Sequence, residues 1–102
     1  MNPQPKQKRI RNAKFLKFLT EQSTCSHCGR PKWPDEDMVY AHQNLGYGHM
    51  AGKGDDICAV NLLKKCHDKE HIVGHKTFWK GINIHAIILD NILRFVRQGG
   101  KI

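Results

Sequence analysis

Residues 57–74 read ICAVNLLKKCHDKEHIVG. Ile57 to Val60 is a short apolar run with strand-like composition, and the Lys, Glu and Leu content of Leu62 to Ile72 favours a helix that Gly74 ends. On that helix His67 and His71 are four residues apart, so they stack on one face, close enough to share a metal ion. Cys66 precedes His67, and successive helical residues point about 100° apart. The helix can therefore turn Cys66 toward a structural metal and the histidine pair toward a separate groove.

Working back from this segment, Met38-Val39-Tyr40-Ala41-His42 also has strand composition. It runs into a stretch holding Gly46, Gly48, Gly52 and Gly54, too glycine-rich for helix. His42 is thus expected at the end of a strand, on the lip of a flexible loop. Further back, Cys25-Ser26-His27-Cys28-Gly29 precedes Pro31, Pro34 and the acidic cluster Asp35, Glu36 and Asp37, a loop by composition. From Asn12 to Gln22, Phe15, Leu16 and Leu19 share one helical face with Phe18 beside it. Residues 1–9, with Pro3 and Pro5, read as disordered. Beyond Gly74, Ile84, Ile87, Ile88, Ile92, Phe95 and Val96 keep helical spacing from about Ile82 until Gly99 and Gly100. The expectation is an α+β fold: a basic arm over 1–11 and one domain over 12–102, its strands and helix flanked by an N-terminal helix and a long C-terminal helix.

The chain of 102 residues is 39% apolar and 25% charged. A domain of this size has a modest core, so a metal staple matters. There is no run of about 18 apolar residues and no hydrophobic leader, which predicts a cytoplasmic protein without a membrane partner. Seventeen Lys and Arg against nine Asp and Glu leave a net charge of +8, favouring a polyanionic partner. Lys6, Lys8, Arg9, Arg11, Lys14 and Lys17 all fall within residues 1–20, where no acidic residue occurs. Contact with DNA, or with RNA, is the expectation, with a solubilising tail as the plainer alternative. The four cysteines, 25, 28, 58 and 66, lie in a chain without an export signal, so metal binding explains them better than disulfides.

Cys25 and Cys28, two residues apart with Gly29 after them, form a metal knuckle. Cys66 and Cys58 complete a four-cysteine zinc site if the second strand and the helix start fold toward it. His27 is an alternative fourth ligand, and Cys58 is alternatively a buried apolar thiol. His42 suits the base that activates water in phosphodiester hydrolysis, while a histidine-held divalent ion offsets charge on the phosphoryl oxygens. Lys53 in the glycine loop is placed to hold a phosphate. His27 and His85 otherwise read as plain surface histidines, and His49 and His75 are ambiguous.

Taken together, Cys25-Ser26-His27-Cys28, Ala41-His42, Gly52-Lys53-Gly54-Asp55-Asp56 and Cys66-His67-Asp68-Lys69-Glu70-His71, with His75 in register, resemble the His-Asn-His (HNH, or His-Me finger) endonucleases. The likeness spans roughly residues 25–75. It is closest to small phage and prophage members, the RecA-dependent Ref-like and YbcO-like nucleases. The resemblance implies a zinc-stabilised core of two strands and a helix over about 38–75, gripping one divalent metal. It implies His42 as general base and His67 and His71 as ligands of a catalytic Mg²⁺, Mn²⁺ or Zn²⁺, with His75 as a further candidate. It also implies a DNA endonuclease tied to phage recombination, with a recombinase as partner. Three positions depart from the family pattern. Ala41 stands where many members carry an acidic or histidine ligand. The spacing that delivers the middle asparagine falls on Cys58 and not on Asn61, leaving Asp55 or Asp56 to orient the base. Leu63 stands where the second knuckle usually has a cysteine. These departures keep open a zinc-stabilised nucleic-acid-binding module without catalysis. Whether the chain is a monomer or pairs through its apolar last helix is also open.

Overall fold

The structure, a computed structural model, describes residues 10–43 and 55–102. Lys6, Lys8, Arg9, His49, Lys53 and the glycines between 44 and 54 lie outside the described residues. The elements are α1 (Ala13–Thr20), β1 (Met38–Ala41), a 3-10 turn (Asp56–Cys58), β2 (Val60–Leu63), α2 (Lys64–Val73), α3 (His75–Phe78) and α4 (Ile84–Arg97). This is a small α+β fold around one antiparallel strand pair.

Helix α1 starts where Asn12 can cap it: its side chain accepts from Phe15 N at 3.1 Å, satisfying one of the orphan amides of the first turn. Phe15, Phe18 and Leu19 then bury against Ala59 and Phe95. The chain before the helix is already docked, because Ile10 N donates to Asp55 at 2.7 Å and Asp56 N donates to Ile10 O at 2.9 Å. Ile10, within the expected arm, is thus tied to the residues that open the 3-10 turn.

Strands β1 and β2 pair antiparallel, with Met38 opposite Leu63 and Tyr40 opposite Asn61. The second strand lies three residues later than its apolar run suggests. Ile57 and Cys58 belong to the 3-10 turn, while all of Val60–Leu63 is buried. The polar Asn61 is tolerated inside because its side chain donates to Thr24 O at 2.7 Å and accepts from Ser26 Oγ at 2.6 Å. A buried amide with both ends satisfied carries little penalty. Leu62 and Leu63, good helix formers by propensity, are taken into the strand by burial.

Helix α2 follows directly and ends at Gly74, whose φ of 89° is left-handed and suits glycine. The chain turns there into α3, a single turn that periodicity alone does not reveal. Phe78, its last residue, and Trp79 after it are buried with the sheet, Ile84 and Ile88. Helix α4, capped by Asn83 at Ala86 N, joins the two cores: Ile84 and Ile88 pack on the sheet cluster and Phe95 on α1. Ile92 touches both. Among the described residues no helix is long and apolar enough to cross a membrane.

Candidate functional site

The loop between α1 and β1 is folded around its two cysteines. Cys25 N donates to Arg30 O at 3.1 Å and Gly29 N to Cys25 O at 3.0 Å, a tight turn closed by Gly29 at φ 70°. Arg30 grips Glu36 through both guanidinium nitrogens and lies 4.4 Å over the Trp33 ring. The first cause lowering the Glu36 carboxyl to about 2 is this Arg30 contact, followed by the Trp33 N–H. Ser26 N donates to Asn61 O at 3.0 Å, fastening the loop to β2. The start of α2 consequently faces the knuckle.

Cys25, Cys28 and Cys66 come together there, with all three sulfurs within 4.8 Å of one another. The Cys28 and Cys66 sulfurs are 3.8 Å apart. Two thiolates bound to tetrahedral zinc at about 2.3 Å stand about 3.8 Å apart, so the spacing fits zinc. Burial, then the charge of Cys25, pushes Cys66 up to about 12. At Cys28 burial acts upward, but the Arg30 N–H, the neighbouring thiols and the Arg30 charge leave it lowered. Three sulfurs this close ionise together only around a cation. The cluster can hold a structural metal such as zinc.

Two expectations about this centre are corrected. Cys58 is not among the clustered sulfurs: it sits on the 3-10 turn, packed against the core, with burial raising its thiol. The turn that displaced β2 also carried Cys58 away from the knuckle. His27 does not join either. Its Nε2 lies 2.7 Å from Phe78 O, and its ring stacks on Phe78 at 3.7 Å and meets Trp79 edge-on. It ties the knuckle to α3, and is not a plain surface histidine. Leu63, at the position of the missing cysteine, is 1% exposed and contributes its N–H to the Cys25 sulfur at 3.5 Å.

A second concentration of chemistry lies at the other end of the strand pair. A cleft of about 440 Å³ is lined by His42, Gln43, Glu70, His71, Gly74 and His75. His42 Nε2 is 2.8 Å from Asp56 Oδ1, and Asp56 Oδ2 accepts from Asn12 N at 2.7 Å. Asp56 is 2% exposed. Burial acts to raise its pKa, yet the hydrogen bonds from His42 and Asn12 and the charges of His42 and Arg11 outweigh it, so the carboxyl is held below its usual range. With Asp56 accepting at Nε2, a ring proton is fixed on that nitrogen, and Nδ1 is the one turned away from the carboxylate. Tyr40 packs edge-on against His42 at 5.5 Å.

On α2, His67 Nε2 and His71 Nε2 are 3.1 Å apart. This is hydrogen-bond distance, and it also falls within the about 3.0–3.4 Å that separates two nitrogens bound to one octahedral or tetrahedral ion at about 2.1 Å. Burial, then the neighbouring His71, lowers the His67 pKa, favouring its neutral, ligating form. His75 lies on the cleft wall, 3.9 Å from Glu70. Asn61, the nearer candidate by name for a middle asparagine, is spent on the knuckle loop, and Asp56 is the residue that meets His42. Arg11 and Lys14 are exposed beside α1.

Two cleft residues escaped the sequence reading. Glu70 is buried beneath Trp79, whose Nε1 donates to it at 2.5 Å; its signal was the spacing to Trp79, invisible before α3 was known. Gln43 is 2% exposed, and nothing in its sequence context marks it.

The family model described as "Protein of unknown function (DUF968)" matches residues 2–86. The chain belongs to the DUF968 family. The matched stretch includes the knuckle, His42, Asp56, the α2 histidines and His75, and ends in the first turn of α4. No curated protein and no solved structure matches the chain. The DUF968 match therefore supplies membership, and the chemistry has to be argued from the site.

Proposed function

We propose that this DUF968 member is a metal-dependent endonuclease that hydrolyses phosphodiester bonds in DNA, with a zinc-stabilised two-strand-and-helix core of the HNH type. The observation that carries the reading is the cleft in which His42, its Nε2 held by Asp56, shares walls with His71 of the α2 histidine pair. In this reading Cys25, Cys28 and Cys66 hold the structural zinc, and His67 and His71 hold the catalytic divalent ion. That ion, when bound, offsets the charge growing on the phosphoryl oxygens and helps the leaving oxygen.

The protein's own groups do the rest. Asp56 keeps the His42 proton on Nε2, so Nδ1 accepts a proton from the attacking water. Asn12, by donating to the other Asp56 oxygen, holds that carboxylate in place. Arg11, whose charge reaches Asp56, and Lys14 on α1 are exposed and offer basic groups to a phosphate backbone. His75 is a further candidate at the cleft wall. The net charge of +8 supports a nucleic-acid substrate, and the resemblance to phage and prophage nucleases supports a recombination setting with a recombinase partner.

A plasmid-nicking assay with zinc-loaded protein and added Mg²⁺ or Mn²⁺ tests the reading. Wild type should nick, and His42→Ala should not while still binding DNA. Equal cutting by His42→Ala would refute it. The second reading, a zinc-stabilised binding module, draws on Asn61, which is wholly engaged in holding the knuckle loop. It requires salt-sensitive binding and no cleavage with any metal.

A further inference from the structure

Gln43 is the cleft residue that the fold explains least. It follows His42, is 2% exposed and lines the histidine cleft. Its Nε2 donates back to Ala41 O at 3.2 Å, which commits that end of the amide to the backbone. Its Oε1 is buried and has no hydrogen-bond partner among the described residues. A buried carbonyl oxygen without a donor is costly and rare in native proteins. Where one persists in a cleft, something that binds there meets the need.

A hydrogen-bond donor or a cation can do so. The cleft is rich in acceptors. Glu70 presents a carboxylate, already engaged by Trp79, and His71 opens on the same space with its Nε2 facing that of His67. Imidazole nitrogens, a carboxylate and an amide oxygen lining one cleft favour a positive ion. We propose that Gln43 supplies Oε1 to the divalent cation at His67 and His71, directly or through a water bound to that cation. The inference rests on the reading of His67 and His71 as a divalent site. It adds an oxygen to a pair of nitrogens, a mixed set that suits a hard ion such as Mn²⁺ or Mg²⁺ better than a thiolate site does.

The test is Mn²⁺ titration of the full chain with zinc in the knuckle, reading free Mn²⁺ by electron paramagnetic resonance. The variants are Gln43→Leu, Gln43→Glu and His71→Ala. Gln43→Leu should weaken Mn²⁺ by about tenfold or more, in the range seen when groups supporting a metal are removed. Gln43→Glu should tighten it. Without Mn²⁺ the thermal midpoint of Gln43→Leu should stay close to that of wild type, since removing the unsatisfied acceptor offsets the lost bond to Ala41 O. If Gln43→Leu binds Mn²⁺ like wild type while His71→Ala loses it, the role of Gln43 fails and the histidine site stands. If His71→Ala also binds normally, both fail. A loss of DNA affinity in Gln43→Leu with unchanged Mn²⁺ binding would assign the oxygen to a substrate donor and overturn the proposal. Should Gln43→Leu not fold, Gln43→Glu decides: tighter Mn²⁺ binding upholds the role, and unchanged binding ends it.

Discussion

Asp56 joins His42 to the start of α1: one carboxylate oxygen meets His42 Nε2 at 2.8 Å and the other accepts from Asn12 N at 2.7 Å. Both oxygens act as acceptors. An asparagine has only one oxygen, so Asp56→Asn must leave either the Asn12 amide or the His42 ring facing an NH₂ group. If the oxygen stays on Asn12, the histidine proton moves to Nδ1 and the nitrogen proposed as the base is blocked. Cleavage by Asp56→Asn should fall by about 10²–10⁴-fold, the range typical of a general base, with binding to DNA retained. Single-turnover nicking beside a binding assay measures both.

The same carboxylate sets an acid limit. Its pKa in the folded chain lies below the ordinary 3.8. Its contribution to stability is therefore complete above that value and is lost as pH falls through the lower folded value. Glu36, held at about 2 against an ordinary 4.5 by Arg30, acts in the same direction. Protection of the Asn12 and Phe15 amides, taken relative to their intrinsic exchange rates, should fall as pH drops below 3.8 and Asp56 takes up its proton. In Asp56→Asn this pH dependence should disappear.

The knuckle makes a sharp distinction among cysteines. Cys25→Ser, Cys28→Ser and Cys66→Ser should each lose tightly bound zinc and lower the thermal midpoint. Cys58→Ser should keep zinc at wild-type stoichiometry, because its sulfur is outside the cluster. Native mass spectrometry of the four variants reads this directly.

Leu63 offers the converse experiment. It stands three residues before Cys66 and its N–H already meets the Cys25 sulfur. Leu63→Cys should tighten zinc by completing a second two-residue-spaced cysteine pair. In the metal-free chain the same change removes a buried leucine and should cost about 1–3 kcal/mol. Opposite signs with and without zinc, measured by competition with a chelator and by thermal melting, identify position 63 as a neighbour of the metal.

Trp79 and Glu70 provide a test of the cleft wall. Trp79→Phe removes the N–H that meets Glu70 at 2.5 Å and leaves a buried carboxylate without its donor. The expected destabilisation is about 1–3 kcal/mol, seen in denaturant unfolding. Glu70→Gln in the wild-type Trp79 background keeps an acceptor oxygen for the indole and should cost less than Trp79→Phe.

The sequence by itself determined the parts that depend on local periodicity and short spacing. The α1 and α4 faces, the knuckle of Cys25 and Cys28, the His67 and His71 pair and the stop at Gly74 are all written within a few residues of one another. Backbone geometry alone then brings such groups together. What required the tertiary structure was every pairing across distance and every polar residue whose partner lies elsewhere. Asn61 looks like a strand breaker until Thr24 and Ser26 satisfy it. Cys58 and Cys66 look equivalent until the 3-10 turn separates them. Asp56 meets His42 only because β2 returns beside β1, and Gln43 stands out only because its oxygen is buried without a donor. Burial and hydrogen-bond satisfaction are properties of the assembled chain, and for that reason the histidine cleft became visible only in three dimensions.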